Sequence, residues 1–524
     1  MGCIALLALR FRVPSIGVSN APARLVTEPT LPESVPLAAK GRRLGWLDAI
    51  RGFAALCVVF EHMSTHVLQH VRSDLYLWFN GGQYGVFVFF LVSGYIIPAS
   101  LERKGSVRGF WLSRAFRLYP LYIIGIAVSL LAWKTGFGPI RGADTQLKTW
   151  VYSLPFMMSN MVDGANVPNV IWTLSFEMVF YLLLSALFTF RVHRHSGGYA
   201  LTAVIGAVAL GGILPMAGLS HAIGNRRVAV AADILLFTGL ALAVSGRRVP
   251  RAVGAALAAA TGLTLLLFNP SYPYNWSGLT ILALMFTGTM LYRAERGEFG
   301  RVKAAVIAIV VFALAIVAGV WHSTMWHMNA ADQRQFDLQW ISCLVLAGGT
   351  FAVGLALRHR TVPRVLAWLG LVSYSVYMLH PIVLNAYRSF HVFRRPHPFA
   401  VQLLLAAGIV AVVLACSALT YYFVESPMQR VGHRFARLLQ ARFGPDALTE
   451  SVPVPDAPAV TAEADMNTGA DMSTGADAIT RADDLTGADN NTGAHVNAGA
   501  AHDPMRDAAH GQAGPVPQDA RRIT

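Results

Sequence analysis

Ionisable side chains set inside long apolar runs are where this sequence could do chemistry. At the centre of a membrane helix a charged side chain costs roughly 2.5–3.5 kcal/mol on insertion scales, so each one needs a reason. The run at 44–63 holds Asp48, Arg51, Glu61 and His62. Arg51 and His62 stand 11 positions apart, close to three helical turns. A helix would therefore carry both on one face, about 16 Å apart, with Asp48 one turn below Arg51. Histidine exchanges protons near neutral pH and suits general-base work. An Asp48–Arg51 ion pair tying helices together is the purely structural alternative. His62, His66 and His70 repeat at i, i+4 and i+8, a spacing metal ligands can use, but no cysteine or carboxylate set completes it. No metal is assigned.

Other polar groups recur in later runs. Ser93-Gly94 sits in Phe89-Phe-Leu-Val-Ser-Gly-Tyr95, where a small pair permits close helix approach. Arg114 and Arg117, one turn apart before Leu118-Tyr-Pro120, are either positive anchors at a membrane face or a fork for phosphate groups. Glu177 lies within Ile171 to Tyr181, His380 near the end of Ser373 to Pro381, and Glu425 after Tyr421-Tyr-Phe-Val. Asp233 is a further buried candidate. Taken singly, each is an ordinary packing residue.

The elements that must position these groups are set by composition. Of 524 residues 55% are hydrophobic and only 13% charged, with a mean hydropathy of +0.49. Soluble domains carry about 25% charged residues, so an all-α polytopic membrane protein is expected. Apolar segments fall at 44–63, 84–101, 117–133, 170–190, 198–218, 229–245, 252–269, 277–293, 302–321, 340–357, 366–390 and 401–424. Several are near the lower length for a span, which gives a bundle of about 10–12 transmembrane helices. The net charge of +14 is not a nucleic-acid patch. It lies in short clusters between alternate segments, among them Lys40 to Arg43, Arg191 to Arg194, Arg247-Arg248, Arg293 to Lys303 and Arg358 to Arg360. Positive loops alternating with poorer ones set orientation, here with both termini cytoplasmic and the chain in the cytoplasmic (inner) membrane. Arg226-Arg227 and Arg394-Arg395 are exceptions to the alternation.

Residues 1–43 form a linker expected to lack structure. The short apolar stretch Cys3–Leu9 is followed, not preceded, by Arg10 and Arg12, the wrong order for a signal peptide. A transmembrane domain at 44–430 is followed by a basic juxtamembrane segment at 431–444. From Asp446 onward 13 Asp and Glu face 4 Arg and no Lys, so 445–524 is an acidic tail. Its six-residue repeats, such as DMNTGA and DDLTGA, lack the recurring aliphatic residue that a β-helix core needs, and the tail is expected to be disordered.

Taken together and in order, the strings resemble the acyltransferase-3 family of membrane O-acyltransferases. Leu47-Asp-Ala-Ile-Arg-Gly-Phe53 with His62 is similar to that family's opening Arg-x10-His motif. Phe89 to Tyr95 resembles FFxxSG, Arg114-Ala-Phe-Arg117 resembles RxxR, and Trp172 to Glu177 resembles WSLxxE. Ser373 through His380 resembles SYxxYLxH, and Phe423 to Pro427 the closing xxExP. The resemblance covers 44–430 and is weakest across 198–357. No fused SGNH esterase-like domain is expected.

The resemblance implies transfer of an acyl group, acetyl in the first instance, from cytoplasmic acyl-CoA to a hydroxyl of an envelope or exported glycan such as O-antigen or exopolysaccharide. The acceptor is a glycan or a lipid-linked glycan. The implied roles are His62 as the base or a transient acyl carrier, Arg51 for developing charge or donor orientation, and Asp48 holding Arg51. Glu177 and His380 would support the acceptor or His62, Arg114 and Arg117 would meet the donor's phosphates, and Ser93 would line the donor path. The donor is a cosubstrate, and no permanently bound cofactor, metal or nucleic acid is implied. A secondary transporter using the buried Asp, Arg, Glu and His as a relay is the rival class.

Overall fold

A computed structural model describes residues 44–135, 155–162, 168–271, 274–326, 328–390 and 397–443. The expected linker at 1–43 and acidic tail at 445–524 lie outside the described residues. So do the basic pair Arg394-Arg395 and most of the connection between 134 and 169. Among the described residues the fold is all helix. That follows from the solvent, because in a bilayer every backbone N–H and C=O must be satisfied within the spanning element.

Each of the twelve apolar segments holds a helix: α1 (Gly45–Ser64), α3 (Gly81–Lys104), α4 (Val107–Lys134), α5 (Trp172–Thr189), α6 (Ser196–Leu210), α8 (Asn225–Ala243), α9 (Arg248–Phe268), α10 (Asn275–Glu295), α11 (Arg301–Ser323), α12 (Ala330–Ala356), α13 (Arg364–Ser389) and α14 (Phe399–Thr420). Two short helices, α2 (Gln69–Tyr76) and α7 (Gly218–Ile223), lie in connections, and a π-turn at Tyr421–Glu425 leads into α15 (Ser426–Phe443). Eight helices among the described residues are long and apolar enough to cross a membrane, namely α3, α4, α5, α9, α11, α12, α13 and α14, the last as part of the longer stretch Phe399–Arg442. The others run beside them. Helix α10 buries 19 of its 21 residues, so protein rather than lipid surrounds it and polar side chains are tolerated. Helix α1 is similarly enclosed by α3, α12 and α13. At the periphery the polarity reverses: Ile309 on α11 and Leu404 on α14 are 69% and 73% exposed, a surface made for acyl chains.

Boundaries differ from the apolar runs in one systematic way. Helix α4 begins ten residues before the run at 117–133, and α12 begins ten before 340–357, because charged and polar residues interrupt the apolar signal in their first turns. Arg114, ahead of that run, and Arg117, its first residue, therefore both lie well inside α4.

Two glycine crossings fix the centre. A Cβ on Gly94 of α3 would lie 1.9 Å from the Met285 carbonyl oxygen, and one on Gly288 of α10 would lie 2.2 Å from the Leu91 oxygen. Thr289 Oγ1 donates to the Gly94 carbonyl at 2.8 Å in the same crossing. The close approach expected of Ser93-Gly94 is thus present, with α10 as the partner. Helix α1 meets α13 as tightly, since a Cβ on Gly370 would lie 2.2 Å from the Asp48 oxygen.

Short connectors reverse the chain and bring the basic clusters to one end. There Arg293 bridges Glu102 and Glu298, Arg358 pairs with Glu295 at 2.7 Å, and Arg108 donates to the Val244 carbonyl at 3.1 Å. His193, in the α5–α6 connection, has its pKa pushed down to about 4, first by burial and then by Arg293 and Arg194. The opposite end is held by neutral groups and by the Arg72–Glu61 ion pair: Asn269 bonds Met161 and Ser220, and Gln402 accepts from the Leu68 N–H at 2.9 Å.

Candidate active site

Helix α1 starts at the basic end, where Gly45 abuts Val362. Arg51 lies about 9 Å along it and His62 about 25 Å along it, near the other end. The two are therefore in different halves of the bundle. Arg51 points toward α13 and α4, and its Nη1 is 4.0 Å from Asp48 Oδ1. Both side chains are buried, so the ion pair weighed from sequence exists, and Arg51 also faces a chamber.

That chamber, about 90 Å³, holds a few waters or the tip of a narrow ligand. Arg51, Ser93, Arg114, Arg117 and Glu177 line it, brought from α1, α3, α4 and α5, together with Thr173, Tyr374 and Tyr377. Three guanidinium groups and one carboxylate line the chamber, with Asp48 paired to Arg51 behind it. Arg114 is buried, and its guanidinium carbon sits 5.4 Å from the ring centres of both Phe110 and Tyr181. Its Nε has no hydrogen-bond partner. A buried donor without an acceptor is costly, and an anion entering the chamber would satisfy it. Glu177 accepts from the Tyr181 hydroxyl and, at 3.5 Å, from Ser93 Oγ. Tyr374 donates to the Leu118 carbonyl at 2.9 Å and ties α13 to α4 beside Arg117.

His62 and His380 form a second group. Their ring centres are 5.0 Å apart at an interplanar angle of 55°. In each ring Nδ1 faces the carbonyl four residues earlier, Val58 at 3.0 Å and Val376 at 3.1 Å. A carbonyl only accepts, so Nδ1 carries the proton and Nε2 is left as the lone-pair nitrogen. In the fully buried His380, Nε2 has no partner. Between the histidines and the chamber stand Phe89 and Tyr377, with ring centres 5.7 Å apart, and Tyr377 lies 6.0 Å from His380. The Tyr377 hydroxyl meets Thr173 Oγ1 and the Val170 carbonyl, each at 3.0 Å.

Of the eight residues singled out from sequence, five line one chamber, two pair beyond it, and Asp48 lies behind Arg51. Glu61 is explained structurally: it binds Arg72 and accepts the Gly81 N–H at 3.0 Å, holding the start of α3. The three-histidine spacing does not persist, because α1 ends at Ser64 and a turn carries His66 and His70 off its face. No group of three or more His, Cys, Asp or Glu placed to hold a metal occurs among the described residues. Asp233, on α8, is only half buried. Glu425, in the π-turn, is buried and accepts from Ser375. Tyr377, Tyr374, Thr173 and Tyr181 went unremarked as site residues, although Tyr374 and Tyr377 share with His380 the three-residue spacing that puts side chains on one helix face.

A helical membrane bundle with an arginine chamber and a buried histidine pair defines a class of polytopic membrane protein built around an intramembrane polar site. The acyltransferase-3 family model, described as an acyltransferase domain, matches residues 44–225 and 230–422, and the chain belongs to that family. The chain is similar to YrhL of Bacillus subtilis (strain 168), provisionally named a peptidoglycan O-acetyltransferase. The two are 25% identical over 414 residues, 75% of this chain and 56% of the relative. Nodulation protein 10 of Rhizobium leguminosarum bv. viciae is 31% identical over 27% of this chain and 43% of its own. O-acetyltransferase OatA of Staphylococcus aureus (strain NCTC 8325 / PS 47) is 30% identical over 29% and 26%. The chain thus spans about half the length of YrhL, and less of the other two. No solved structure matches.

Proposed function

We propose that the protein is an O-acyltransferase that moves an acyl group, acetyl in the first instance, from cytoplasmic acyl-CoA to a hydroxyl of an envelope or exported glycan. The observation that carries this reading is the division of the site. Arginines able to meet phosphate lie in the half of the bundle where the basic clusters gather, and lone-pair imidazole nitrogens lie in the other half. The relatives' names, two of them O-acetyltransferases, point the same way.

In this mechanism Arg114 and Arg117 meet the donor where its acyl end enters the chamber, and Arg51, braced by Asp48, orients it. The separation of Arg51 from His62 favours donor orientation for Arg51 over contact with the reacting oxygen. The narrow thioester arm extends past Ser93 toward Tyr377 and Phe89. Nε2 of His62 removes the proton of the acceptor hydroxyl as its oxygen attacks the thioester carbonyl. The tetrahedral intermediate collapses, the carbon–sulfur bond breaks, and the CoA thiolate leaves and takes the proton back from the imidazolium. His380, with an unsatisfied Nε2 beside His62, supports the pair or receives the acceptor hydroxyl. Glu177, held by Tyr181 and Ser93, steadies the chamber's cations.

The test is transfer of radiolabel from acetyl-labelled CoA to envelope glycan in membranes carrying wild-type protein or His62→Ala. Label is expected with wild type, and a loss of at least a hundredfold with the normally inserted variant. Wild-type activity in His62→Ala removes that residue from its role. Silence of the wild type with acetyl-, propionyl- and succinyl-CoA on a broad acceptor panel overturns the transferase reading and favours transport.

A further inference from the structure

On the face of α4 turned away from the chamber lies a second and larger cavity, about 530 Å³, between the first turns of α4 and the basic helix α15. Its wall includes Lys104, Arg108, Arg430, Arg434 and Arg437, with the Ser113 hydroxyl between them and no carboxylate among its lining residues. The three α15 arginines recur at i, i+4 and i+7 and therefore face the groove together. Packing holds the two walls in place: Phe116 of α4 and Phe435 of α15 lie 6.1 Å apart, and Gly432 lets the backbones close, since a Cβ there would lie 2.6 Å from the Phe116 Cβ. A concave site lined by charges of one sign raises the local concentration of anions.

The groove also lies close to the chamber along the axis of α4. Ser113 in its wall is one turn of α4, roughly 6 Å, before Arg117 in the chamber. The pantetheine arm of coenzyme A is about as long as four residues of extended chain, roughly 14 Å. Along the helix axis, such an arm is longer than the separation between groove and chamber. A flat bilayer headgroup site would not need the concavity.

We propose that this groove, formed in part by a helix beyond the family-matched region, seats the phosphates of the donor, the 3′-phosphate and pyrophosphate of acyl-CoA. The proposal rests on the acyl-CoA reading above. It assigns α15 as a donor-binding element and gives the basic residues after 425 a task beyond setting membrane orientation.

The test compares acetyl-CoA, acetyl-3′-dephospho-CoA and S-acetylpantetheine as donors for the full chain in nanodiscs of neutral lipid and of neutral lipid mixed with phosphatidylglycerol. Wild type is expected to show a KM for acetyl-CoA at least tenfold below that for S-acetylpantetheine, a gap that narrows with added salt. Arg434→Gln/Arg437→Gln is expected to raise KM for acetyl-CoA about tenfold and to close most of that gap, in both lipids, and Arg434→Lys/Arg437→Lys to restore much of it. An equal change on all donors assigns the arginines a structural role and overturns the proposal. An unchanged KM does the same, and an effect confined to phosphatidylglycerol discs assigns the groove to lipid headgroups instead. In each of these cases the wild type still transfers label from acetyl-CoA. Failure of that transfer is the separate failure of the donor reading.

Discussion

At the scale of single residues, the two histidines and Arg114 separate what a side chain is from what its neighbours make it. His62 and His380 each give Nδ1–H to the carbonyl of their own helix, so the helix itself chooses the tautomer and leaves Nε2 as base. Arg114 lies against two aromatic rings with Nε unpaired. That geometry uses the planar guanidinium, not just its charge. Arg114→Lys keeps the charge and loses both the stacking and the fork. The expected outcome is a rise of about tenfold in donor KM, equivalent to ~1.4 kcal/mol, with a smaller change in kcat. Steady-state transfer from labelled acetyl-CoA in proteoliposomes checks it. A wild-type KM would mean the chamber needs only a positive charge there.

Among elements, the crossings do the positioning. Ser93, which contacts Glu177 of α5, stands next to the Gly94 that packs backbone to backbone on α10, and Arg51 lies on a helix that packs as closely on α13. A methyl group at Gly94 has nowhere to go, because the atom it meets is a carbonyl oxygen of a fully enclosed helix. Gly94→Ala is expected to destabilise the protein by at least 1–3 kcal/mol, seen as a lower melting temperature and a smaller monodisperse fraction in detergent. Gly349→Ala, in open space on α12, is expected to be neutral or to stabilise by up to about 1 kcal/mol. Equal melting temperatures for the two variants would show that the α3–α10 crossing has slack.

For the whole molecule, the gathering of the basic clusters at one end predicts its orientation. Positive connections remain on the cytoplasmic side, where negative lipids and the insertion machinery favour them. In a background freed of native cysteines, Thr65→Cys is expected to react with a membrane-impermeant thiol reagent added outside intact cells. Ser245→Cys, exposed at the basic end, is expected to react only after the membrane is opened. The reverse pattern would invert the donor and acceptor sides assigned above.

The sequence alone determined that helices cross a bilayer, roughly where each lies, and which ionisable residues need explaining. Hydropathy over 17–25 residues is a local property, and the cost of a buried charge marks His62, Arg51 or Glu177 whatever the fold. It also held the shared face of Arg51 and His62, since that follows from helical pitch. It did not hold the first turns of α4, where Arg108, Ser113 and Arg114 interrupt the apolar signal, and so left Arg114 ahead of the apolar run and Arg117 at its start, in a helix that encloses both. Only the tertiary structure decided which groups meet. His62 and His380 are more than 300 positions apart in the chain, and their approach depends on α13 lying against α1 through Gly52 and Gly370. Tyr377, between chamber and histidines, and the groove between α4 and α15 arise the same way. Each is a pairing of faces on distant helices, and such pairings are set by packing, not by any local pattern.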